Sequence, residues 1–381
     1  MLIFLIAGEE SGDQLGAGLM AALRERLGGK VSFQGVGGGR MAGEGLASLF
    51  PIAETALVGF SVVLTRLPRL IARIRETADA VVRAGPDVLV IIDSPDFTHR
   101  VARRVRRRAP HIPIVDYVSP SVWAWRPGRA RRMRAYVDHV LAILPFEPAV
   151  HDRLGGPPCT YVGHPLIEKR DRLRPRPGER SPIAAAGRPC LLVLPGSRHS
   201  EVSRLCDLFG KTLDRLAAAG LDPEVVVPAV DHLADDVRRR TARWSVMPTI
   251  VTGEEAKFAA FRRAHAALAA SGTVTLELAL AGVPMVVAYR MELPVSFLRF
   301  FITTPTIVLP NLVLGENVIP EFLNSEASAD TLATALAPLL SDTRARENQV
   351  AAFARLDHHM AVSTTPSRRA AEIVMKLAGI P

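Results

Sequence analysis

CLLVLPGSRHSEVSRL, residues 190–205, is the stretch that decides the fold. Its apolar start predicts a buried strand, the Pro-Gly pair predicts a tight turn, and the polar residues after that pair predict a helix. In such a unit a glycine lets the backbone approach a ligand closely, and the first N–H groups of the helix favour an anion. We therefore interpret Gly196, Ser197 and Arg198 as a candidate phosphate site, with the Arg198 guanidinium supplying donors suited to phosphate oxygens. A plain turn in which Ser197 caps the helix is the alternative.

A second strand-turn-helix unit follows at residues 264–289, AHAALAASGTVTLELALAGVPMVVAY. Its turn consists of Ser271, Gly272 and Thr273, so that two helix N-termini would face one cleft. Glu277, one turn into this helix, is placed to accept hydrogen bonds from a ribose diol, as the acidic residue does in dinucleotide folds. A solvated helix carboxylate is the alternative role. Paired phosphate sites with a ribose carboxylate predict that the second half of the chain binds a nucleoside diphosphate.

The composition is typical of a folded protein of two domains. Of the 381 residues, 48% are hydrophobic, which is enough for a large core. No apolar run is long enough to span a membrane, and the apolar start of the chain runs straight into acidic residues, so we interpret it as a core strand rather than a signal sequence. Cys159, Cys190 and Cys206 have no paired spacing, which favours a reduced, cytosolic protein without a zinc module.

The net charge of +9 predicts an anionic partner. The excess is concentrated in two arginine-rich stretches, residues 100–108 and 126–134. Nucleic acid, an anionic membrane and a phosphorylated substrate would each explain this charge, and a solvated helix explains the first stretch equally well. We expect no nucleic-acid partner, because no aromatic residues are interleaved with the arginines of residues 100–108.

Acidic residues follow the first predicted strand, in the segment GEESGDQLGAG. The spacing does not match G-x-G-x-x-G, and Glu9 and Asp13 would repel a pyrophosphate. Acidic groups beside helix N–H groups suit sugar hydroxyls better, with ordinary capping by Ser11 or Asp13 as the alternative.

The strand DVLVIID, residues 87–93, ends in a second acidic segment. An aspartate at the carboxyl end of a parallel strand lies where α/β sheets bind their ligands, so Asp93 is a candidate general base. Asp96 is a further candidate beside it, with a role as the cap of the helix from Phe97 as the alternative. The loop after the following strand contains Trp123 and Trp125, which would stack on a sugar, lie at a lipid interface or fill the core.

Residues 56–75, ALVGFSVVLTRLPRLIARIR, combine an apolar face with arginines. Such a segment is suited to a membrane interface, with the charged groups reaching lipid phosphates, and a core helix with exposed arginines is the alternative. Pro68 predicts a division into two helices. The predicted membrane-contact residues are Leu57, Phe60, Val63, Leu64, Leu67, Leu70 and Ile71.

Strands alternate with helices in both halves, which predicts an α/β protein with two Rossmann-like domains facing each other across a cleft. The expected domains are residues 1–165 and 190–345, and the charged, Pro-rich residues 166–189 are the expected linker. Residues 346–381 are expected to be helical and to pack on the first domain or on a partner subunit.

Short blocks along nearly the whole chain are similar, in the same order, to those of one family. They are AGEESGD, GVGGGRM, IDSPDF, YVSPSVWAW, LPFE, VGHP, LPGSR, SGTVTLE, PMVVAYR and LPNL. In these blocks the chain resembles the lipid-A-disaccharide synthases, glycosyltransferases with the two-domain GT-B fold.

The resemblance implies transfer of 2,3-diacylglucosamine from its UDP conjugate to the 6-hydroxyl of 2,3-diacylglucosamine 1-phosphate (lipid X), with inversion at the anomeric carbon. The products are a β-1,6 disaccharide phosphate and UDP. Asp93 would be the base and Arg198 would stabilise the departing diphosphate. The resemblance also places Glu9, Ser11 and Asp13 on the acceptor side, and Tyr289, Arg290 and Asn311 near the donor. A related epimerase or soluble-sugar transferase, with the same donor site, is the nearest alternative.

No cofactor is expected, and the absence of a D-x-D sequence of the kind that binds metal with a nucleotide sugar predicts metal independence. The resemblance further implies a cytoplasmic protein bound peripherally to the inner membrane of a Gram-negative bacterium, and a possible homodimer. The chain departs from the family at Val62, where an acidic residue is usual, and at Thr98, where Asn is usual. Both positions are expected near the acceptor or lipid surface.

Overall fold

The computed structural model describes residues 1–55, 60–290 and 304–380, without the side chains of residues 60–67. The chain forms two compact units. The first consists of Met1–Pro165 and Val362–Pro381, and the second consists of Leu166–Ala361.

The described part of the first unit contains a six-stranded parallel sheet with the strand order β2-β1-β3-β4-β5-β6. The strands are β1 (Leu2–Ala7), β2 (Ser32–Val36), β3 (Val88–Ile92), β4 (Ile114–Tyr117), β5 (His139–Ala142) and β6 (Cys159–Tyr161). The α-helices between them are α1 (Glu10–Leu27), α2 (Gly39–Gly43), α3 (Phe60–Ala84), α4 (Thr98–Arg108), α5 (Gly128–Met133) and α6 (Glu147–Leu154).

The apolar runs at the centre of this sheet form strands because helices cover both of its faces. In β1, Ile3 and Leu5 pack into one hydrophobic cluster, while Phe4 and Ile6 pack into another cluster on the opposite face. A strand buried on both sides has no polar face to alternate with, so the sequence reads as a continuous apolar run.

The second unit repeats this architecture, with the strand order β12-β11-β10-β7-β8-β9. Its strands are β7 (Cys190–Leu194), β8 (Glu224–Ala229), β9 (Thr249–Thr252), β10 (Ala266–Ala270), β11 (Met285–Tyr289) and β12 (Glu321–Leu323). Its described α-helices are α7 (Arg170–Leu173), α8 (His199–Ala218), α9 (Ala234–Thr241), α10 (Glu254–Arg263), α11 (Thr273–Leu280), α12 (Leu309–Leu314), α13 (Ala329–Leu336) and α14 (Arg344–His359). Both predicted strand-turn-helix units, at residues 190–205 and 264–289, are confirmed.

The C-terminal residues expected as one helical tail divide between the two units. Helix α14 belongs to the second unit, where Gln349 accepts a hydrogen bond from the N–H of Met285 in β11 (2.9 Å). Helix α15 (Pro366–Leu377) packs on α1 of the first unit, and Arg368 forms an ion pair with Glu25 (2.6 Å). The chain therefore crosses from the first unit to the second and returns.

The segment expected as a linker, residues 166–189, is instead part of the second unit. It contains α7 and a turn of 3₁₀-helix (Ile183–Ala185), and Leu173 within it is fully buried. A charged, Pro-rich composition is typical of linkers, but this segment also contains side chains that anchor it to the second unit.

Arg180 is the main polar anchor of this segment. Its guanidinium donates hydrogen bonds of 2.8–3.2 Å to the carbonyl oxygens of Phe261, Arg262, Ala281 and Gly282. These carbonyls lie at the C-terminal ends of α10 and α11, where helices lack donors and favour a cation. Burial lowers the pKa of Arg180 to about 10, so the group stays charged at neutral pH.

Helix α3 corrects two expectations about residues 56–75. It is one helix from Phe60 to Ala84 with Pro68 inside it, rather than two helices divided at Pro68. Leu70, predicted to contact a membrane, is only 2% exposed and packs in the core with Ile74. Ile71 is half-buried. Outside the described residues lie Leu57 and the side chains of Phe60, Val63, Leu64 and Leu67. Among the helices that are described, none has the length and hydrophobicity to cross a membrane.

Asp13, predicted to face a sugar acceptor, is buried with 3% exposure. Its carboxylate accepts hydrogen bonds from the backbone N–H groups of Gly38 (2.6 Å), Arg40 (2.9 Å) and Met41 (3.1 Å). It therefore holds the loop and the first turn of α2, where the N–H groups have no partners within the helix. Asp13 therefore caps α2 and not its own helix, α1, whose N-cap is Glu9, so the expected ordinary capping of α1 is also not seen.

We expect Arg180→Met to destabilise the second unit by about 3–5 kcal/mol, because it leaves several carbonyl groups buried without a donor. Chemical unfolding followed by circular dichroism would measure the loss. Arg180→Lys should recover part of it, and Arg176→Met, which changes an exposed arginine of the same segment, is the matched control. Equal stability of the two Met variants would contradict the anchoring role.

We expect Asp13→Ala to lower the free energy of unfolding by about 2–3 kcal/mol, because three N–H groups lose their acceptor. Asp13→Asn, which keeps one carbonyl oxygen, should lose less. Glu10→Ala, at an exposed carboxylate in the same turn, is the control for thermal and urea unfolding. If Asp13→Ala kept full stability and lost only activity, Asp13 would be an acceptor ligand after all.

Candidate active site

The carboxyl ends of β1 and β3 bring the two acidic segments of the first unit together. The strands are parallel neighbours, with Ala7 paired to Ile92, so the turns that follow them lie side by side. Gly8 lies between these turns, where a Cβ atom would come within 2.4 Å of the Cβ of Ser94. Only glycine fits this contact, which sets the spacing of the two turns.

Asp93 is oriented by two hydrogen bonds. Its Oδ2 accepts a hydrogen bond from the Ser11 hydroxyl (3.0 Å), and its Oδ1 accepts one from the backbone N–H of Ser94 (2.7 Å). The residue is half-buried, so part of its surface stays open to a ligand. Of the residues predicted on the acceptor side, the structure brings Ser11 to Asp93. Glu9 and Asp96 lie exposed in the same two turns, whereas Asp13 is buried and bonded to the loop before α2.

The backbone is strained along this edge of the sheet. Among the described residues, six that are not glycine have positive φ angles, and five of them lie in the loops after β3 and β4. Asp93 (φ 52°) and Ser94 (φ 47°) adopt this conformation consecutively. Such angles cost roughly 1–3 kcal/mol each and concentrate at ligand sites, because the surrounding structure must impose them.

Thr98 helps to impose the Asp93 conformation. It is fully buried, and its hydroxyl donates to the carbonyl oxygens of Asp93 (2.7 Å) and Ser94 (3.1 Å). This departure from the family is therefore a buried support of the Asp93 turn and is not itself exposed to a ligand. The side chain of Val62, the other departure, lies outside the described residues.

The structure distinguishes the two tryptophans of the loop after β4. Trp123 packs edge-on against Phe146 and donates from Nε1 to Glu147 (3.2 Å), so it fills the core. Burial raises the pKa of the Glu147 carboxyl to about 7. Trp125 instead lies beneath Arg126, whose guanidinium carbon is 4.2 Å from the ring centroid.

The turn after β7 in the second unit contains an acceptor that the sequence analysis missed. Glu201 is buried, and its Oε2 accepts hydrogen bonds from the backbone N–H groups of Ser197 (2.9 Å) and Arg198 (3.3 Å). Gly196 (φ 126°) is required beside it, because a Cβ atom would lie 2.4 Å from the Cβ of Glu201. The N–H groups predicted to hold a phosphate therefore hold a carboxylate of the protein itself, and Gly196 makes room for that side chain.

Arg198 remains accessible in this turn, as does Ser197. It is the N-cap of α8, and its Nη1 lies 3.2 Å from Glu201 Oε1, while 68% of the side chain is exposed. Glu201 lies three positions after the cap, which is the spacing of a capping box. The spacing could have predicted the role of Glu201 from the sequence. It was overlooked because the cap is an arginine and not the usual Ser or Thr.

The second turn keeps a more open helix N-terminus. Gly272 (φ 150°) precedes α11, and a Cβ atom added there would meet no atom of the described residues within 4 Å, while Thr273 is exposed. Ser271 donates its hydroxyl to the carbonyl oxygen of Ile307 (3.1 Å). Glu277, predicted to bind a ribose, forms an ion pair with Lys257 (2.9 Å) and is 12% exposed. Lys257 was also missed, because its partner on α11 is 20 residues away in the sequence.

The three residues assigned to the donor by resemblance have different surroundings. Tyr289 ends β11, and Arg290 donates from Nη2 to the carbonyl oxygen of Ala327 (2.7 Å). Asn311 is 1% exposed, and its amide bonds to the backbone of Val318 and Ile319. Asn311 therefore shapes the loop and has no surface with which to touch a donor.

No group of three or more His, Cys, Asp or Glu side chains among the described residues is arranged to hold a metal ion. His164 of the VGHP block is buried, and burial lowers its pKa to about 4, so it is neutral at physiological pH. A buried, neutral imidazole favours a structural role for His164.

Curated relatives match the chain almost from end to end. A sequence model of the family described as lipid-A-disaccharide synthetase matches residues 3–374. The lipid-A-disaccharide synthase of Rhodopseudomonas palustris is 58% identical over 375 residues, which cover 98% of this chain and 95% of that protein. The lipid-A-disaccharide synthase of Rhodospirillum centenum is 46% identical over 386 residues, which cover 99% of this chain and 94% of that protein.

Solved structures share the fold at low sequence identity. MnaA of S. aureus, in a co-structure with UDP, has a TM-score of 0.64 and 14% identity, with 99% of this chain and 96% of that chain covered. MurG of Acinetobacter baumannii has a TM-score of 0.60 and 13% identity, with 98% and 99% covered. At this identity the likeness establishes the fold alone, which is the GT-B fold predicted from the sequence. Because the family match spans nearly all of the sequence, the chain belongs to the lipid-A-disaccharide synthetase family, glycosyltransferases of lipid A biosynthesis.

Proposed function

We propose that this enzyme transfers 2,3-diacylglucosamine from UDP-2,3-diacylglucosamine to the 6-hydroxyl of lipid X, with inversion at the anomeric carbon. The observation that carries the proposal is the oriented, accessible carboxylate of Asp93 at the carboxyl edge of the first sheet. Membership of the family supports the chemistry, and it favours a transferase over an epimerase of the same fold.

In the proposed reaction Asp93 takes the proton of the acceptor 6-hydroxyl. The acceptor oxygen then attacks the anomeric carbon from the face opposite the diphosphate. The bond between that carbon and the diphosphate oxygen breaks, and its electron pair leaves with UDP. Ser11 and the N–H of Ser94 hold the carboxylate in position, so that little reorganisation is needed as the proton moves.

The second unit would bind the donor. Because Glu201 occupies the N–H groups of Ser197 and Arg198, the exposed guanidinium of Arg198 is the group we assign to the leaving diphosphate. The open turn of Ser271, Gly272 and Thr273 is the second proposed phosphate contact. Glu277 has two carboxylate oxygens with more than one acceptor position each, so its pairing with Lys257 leaves capacity for a ribose hydroxyl.

We expect Asp93→Asn to lower kcat by about 10²–10⁴-fold with little change in either KM, since Asn keeps the shape of Asp and cannot accept a proton. Arg198→Ala should lower kcat by about 10²–10³-fold, because a donor to the developing charge is lost. The assay measures UDP release with both lipid substrates, and Glu10→Gln is the matched control for the acidic turn. Full turnover in both variants would contradict these roles, and loss of activity in EDTA would contradict metal independence.

We also propose peripheral binding to the cytoplasmic face of the inner membrane through the N-terminal part of α3. The C-terminal part of this helix is committed to the core through Leu70, Ile74 and Ala78. The proposed contact is therefore restricted to the apolar residues before Pro68, together with the neighbouring arginines.

We expect Leu64→Ser with Leu67→Ser to reduce co-sedimentation with phosphatidylglycerol vesicles at least tenfold, because burial of a leucine contributes about 1.5–3 kcal/mol. Met247→Ser, which removes a side chain that is 86% exposed in the second unit, is the control for nonspecific hydrophobic adsorption to the vesicles. Unchanged sedimentation of the double variant would exclude this part of α3 as the contact.

A further inference from the structure

A cavity of about 390 Å³ opens on the first unit, beside the turn that contains Asp93. Pro95 and Asp96 of that turn form one wall. Five arginines form most of the remainder: Arg100 and Arg103 from α4, Arg126 before α5, and Arg129 and Arg132 from α5. This volume falls within the range of about 300–1,000 Å³ that is usual for small-molecule sites.

The positive charge of this cavity is only partly offset by the protein. Among the described residues, none of the five arginines forms an ion pair with a carboxylate. By contrast, Arg106 and Arg108, on the same helix α4, are paired with Asp138 and Asp79. Asp96 is the one acidic residue of the described lining, so the cavity carries a net positive charge. Like charges held together without counterions repel one another, and an anionic occupant would relieve that repulsion.

Buried groups hold Arg103 in position. Its Nη2 donates to the hydroxyl of Tyr136 (3.0 Å), and its guanidinium carbon lies 4.7 Å from the centre of the Tyr136 ring. The same hydroxyl is 3.0 Å from Nδ1 of His99, and Nε2 of His99 is 3.2 Å from Oδ2 of Asp116. His99 and Asp116 are 4% and 0% exposed in their side chains, so this chain of contacts is rooted in the core.

An aromatic side chain holds two further arginines. The guanidinium carbons of Arg126 and Arg129 lie 4.2 Å and 5.8 Å from the centre of the Trp125 ring. Burial lowers the pKa of Arg129, so its charge has lost part of its hydration before any ligand arrives. A guanidinium that lies over an aromatic ring and forms no ion pair keeps N–H donors for a ligand, and these donors match the oxygens of a phosphate.

We propose that this cavity binds the phosphomonoester of the acceptor sugar. The inference rests on the proposed function, in which the acceptor carries a 1-phosphate, and assigns that phosphate to a site. A phosphomonoester has up to two negative charges and three terminal oxygens, which suits several converging guanidinium groups. The position beside the Asp93 turn suits one sugar ring that presents a hydroxyl to the base and a phosphate to the arginines.

The test compares lipid X with the same 2,3-diacylglucosamine lacking its phosphate. For Arg103→Ala and for Arg129→Ala we expect the KM for lipid X to rise at least tenfold, with the donor KM unchanged. The variants should match the wild type with the acceptor that lacks phosphate. Arg131→Ala, on α5 but outside the described lining, is the matched control. Equal effects on both acceptors, or none on lipid X, would overturn the proposal.

Binding measured by isothermal titration of glucosamine 1-phosphate separates this proposal from the proposed function. If the wild type showed no transfer, the proposed function would fail, and the cavity would then be judged by binding alone. Loss of binding in Arg129→Ala, with Arg131→Ala unchanged, would support the site. Wild-type binding in Arg103→Lys and in Arg129→Lys, which keep charge and fold but lose the forked donors, would overturn it. Displacement of the sugar phosphate by random-sequence DNA at physiological salt would also overturn it.

Discussion

The parallel pairing of β1 with β3 is the constraint on which the candidate active site depends. It brings the ends of two strands together, although they are far apart along the chain, and so places Ser11 beside Asp93. Gly8 permits the close approach, and Thr98 supports the left-handed backbone at Asp93 and Ser94. Strand pairing therefore sets the position of the carboxylate, and hydrogen bonds within the loops set its final orientation.

The protein uses carboxylates in two different ways at the edges of its sheets. Asp13 and Glu201 are buried, and both satisfy backbone N–H groups at the start of a helix. Asp93 has a similar position after a strand, but it is half-buried and so keeps part of its surface open to a ligand. Burial and the number of backbone donors distinguish a structural carboxylate from one that can react with a substrate. A carboxylate whose lone pairs already accept hydrogen bonds inside the fold has few lone pairs left for a ligand.

Arginines show the same contrast. Arg180 is surrounded by carbonyl oxygens and fastens residues 166–189 to the second unit. Arg106 and Arg108 are paired with acidic residues on the surface. Arg103 and Arg129 instead lie against aromatic rings, with no acidic partner among the described residues. The excess positive charge of the chain is thus not spread evenly over its surface, and several arginines line one cavity beside the proposed base.

The sequence by itself determined the fold, the family and the turns that matter. Continuous apolar runs with turn residues and helices between them allow only a sheet covered on both faces, and Asp93 and Arg198 each follow such a run. Only the tertiary structure decided the roles of single polar residues within those turns. It buried Asp13, Asn311 and Leu70, filled the first turn of α8 with Glu201, and paired Glu277 with Lys257. The physical reason is that the availability of a side chain depends on partners distant in sequence, which a local pattern cannot reveal.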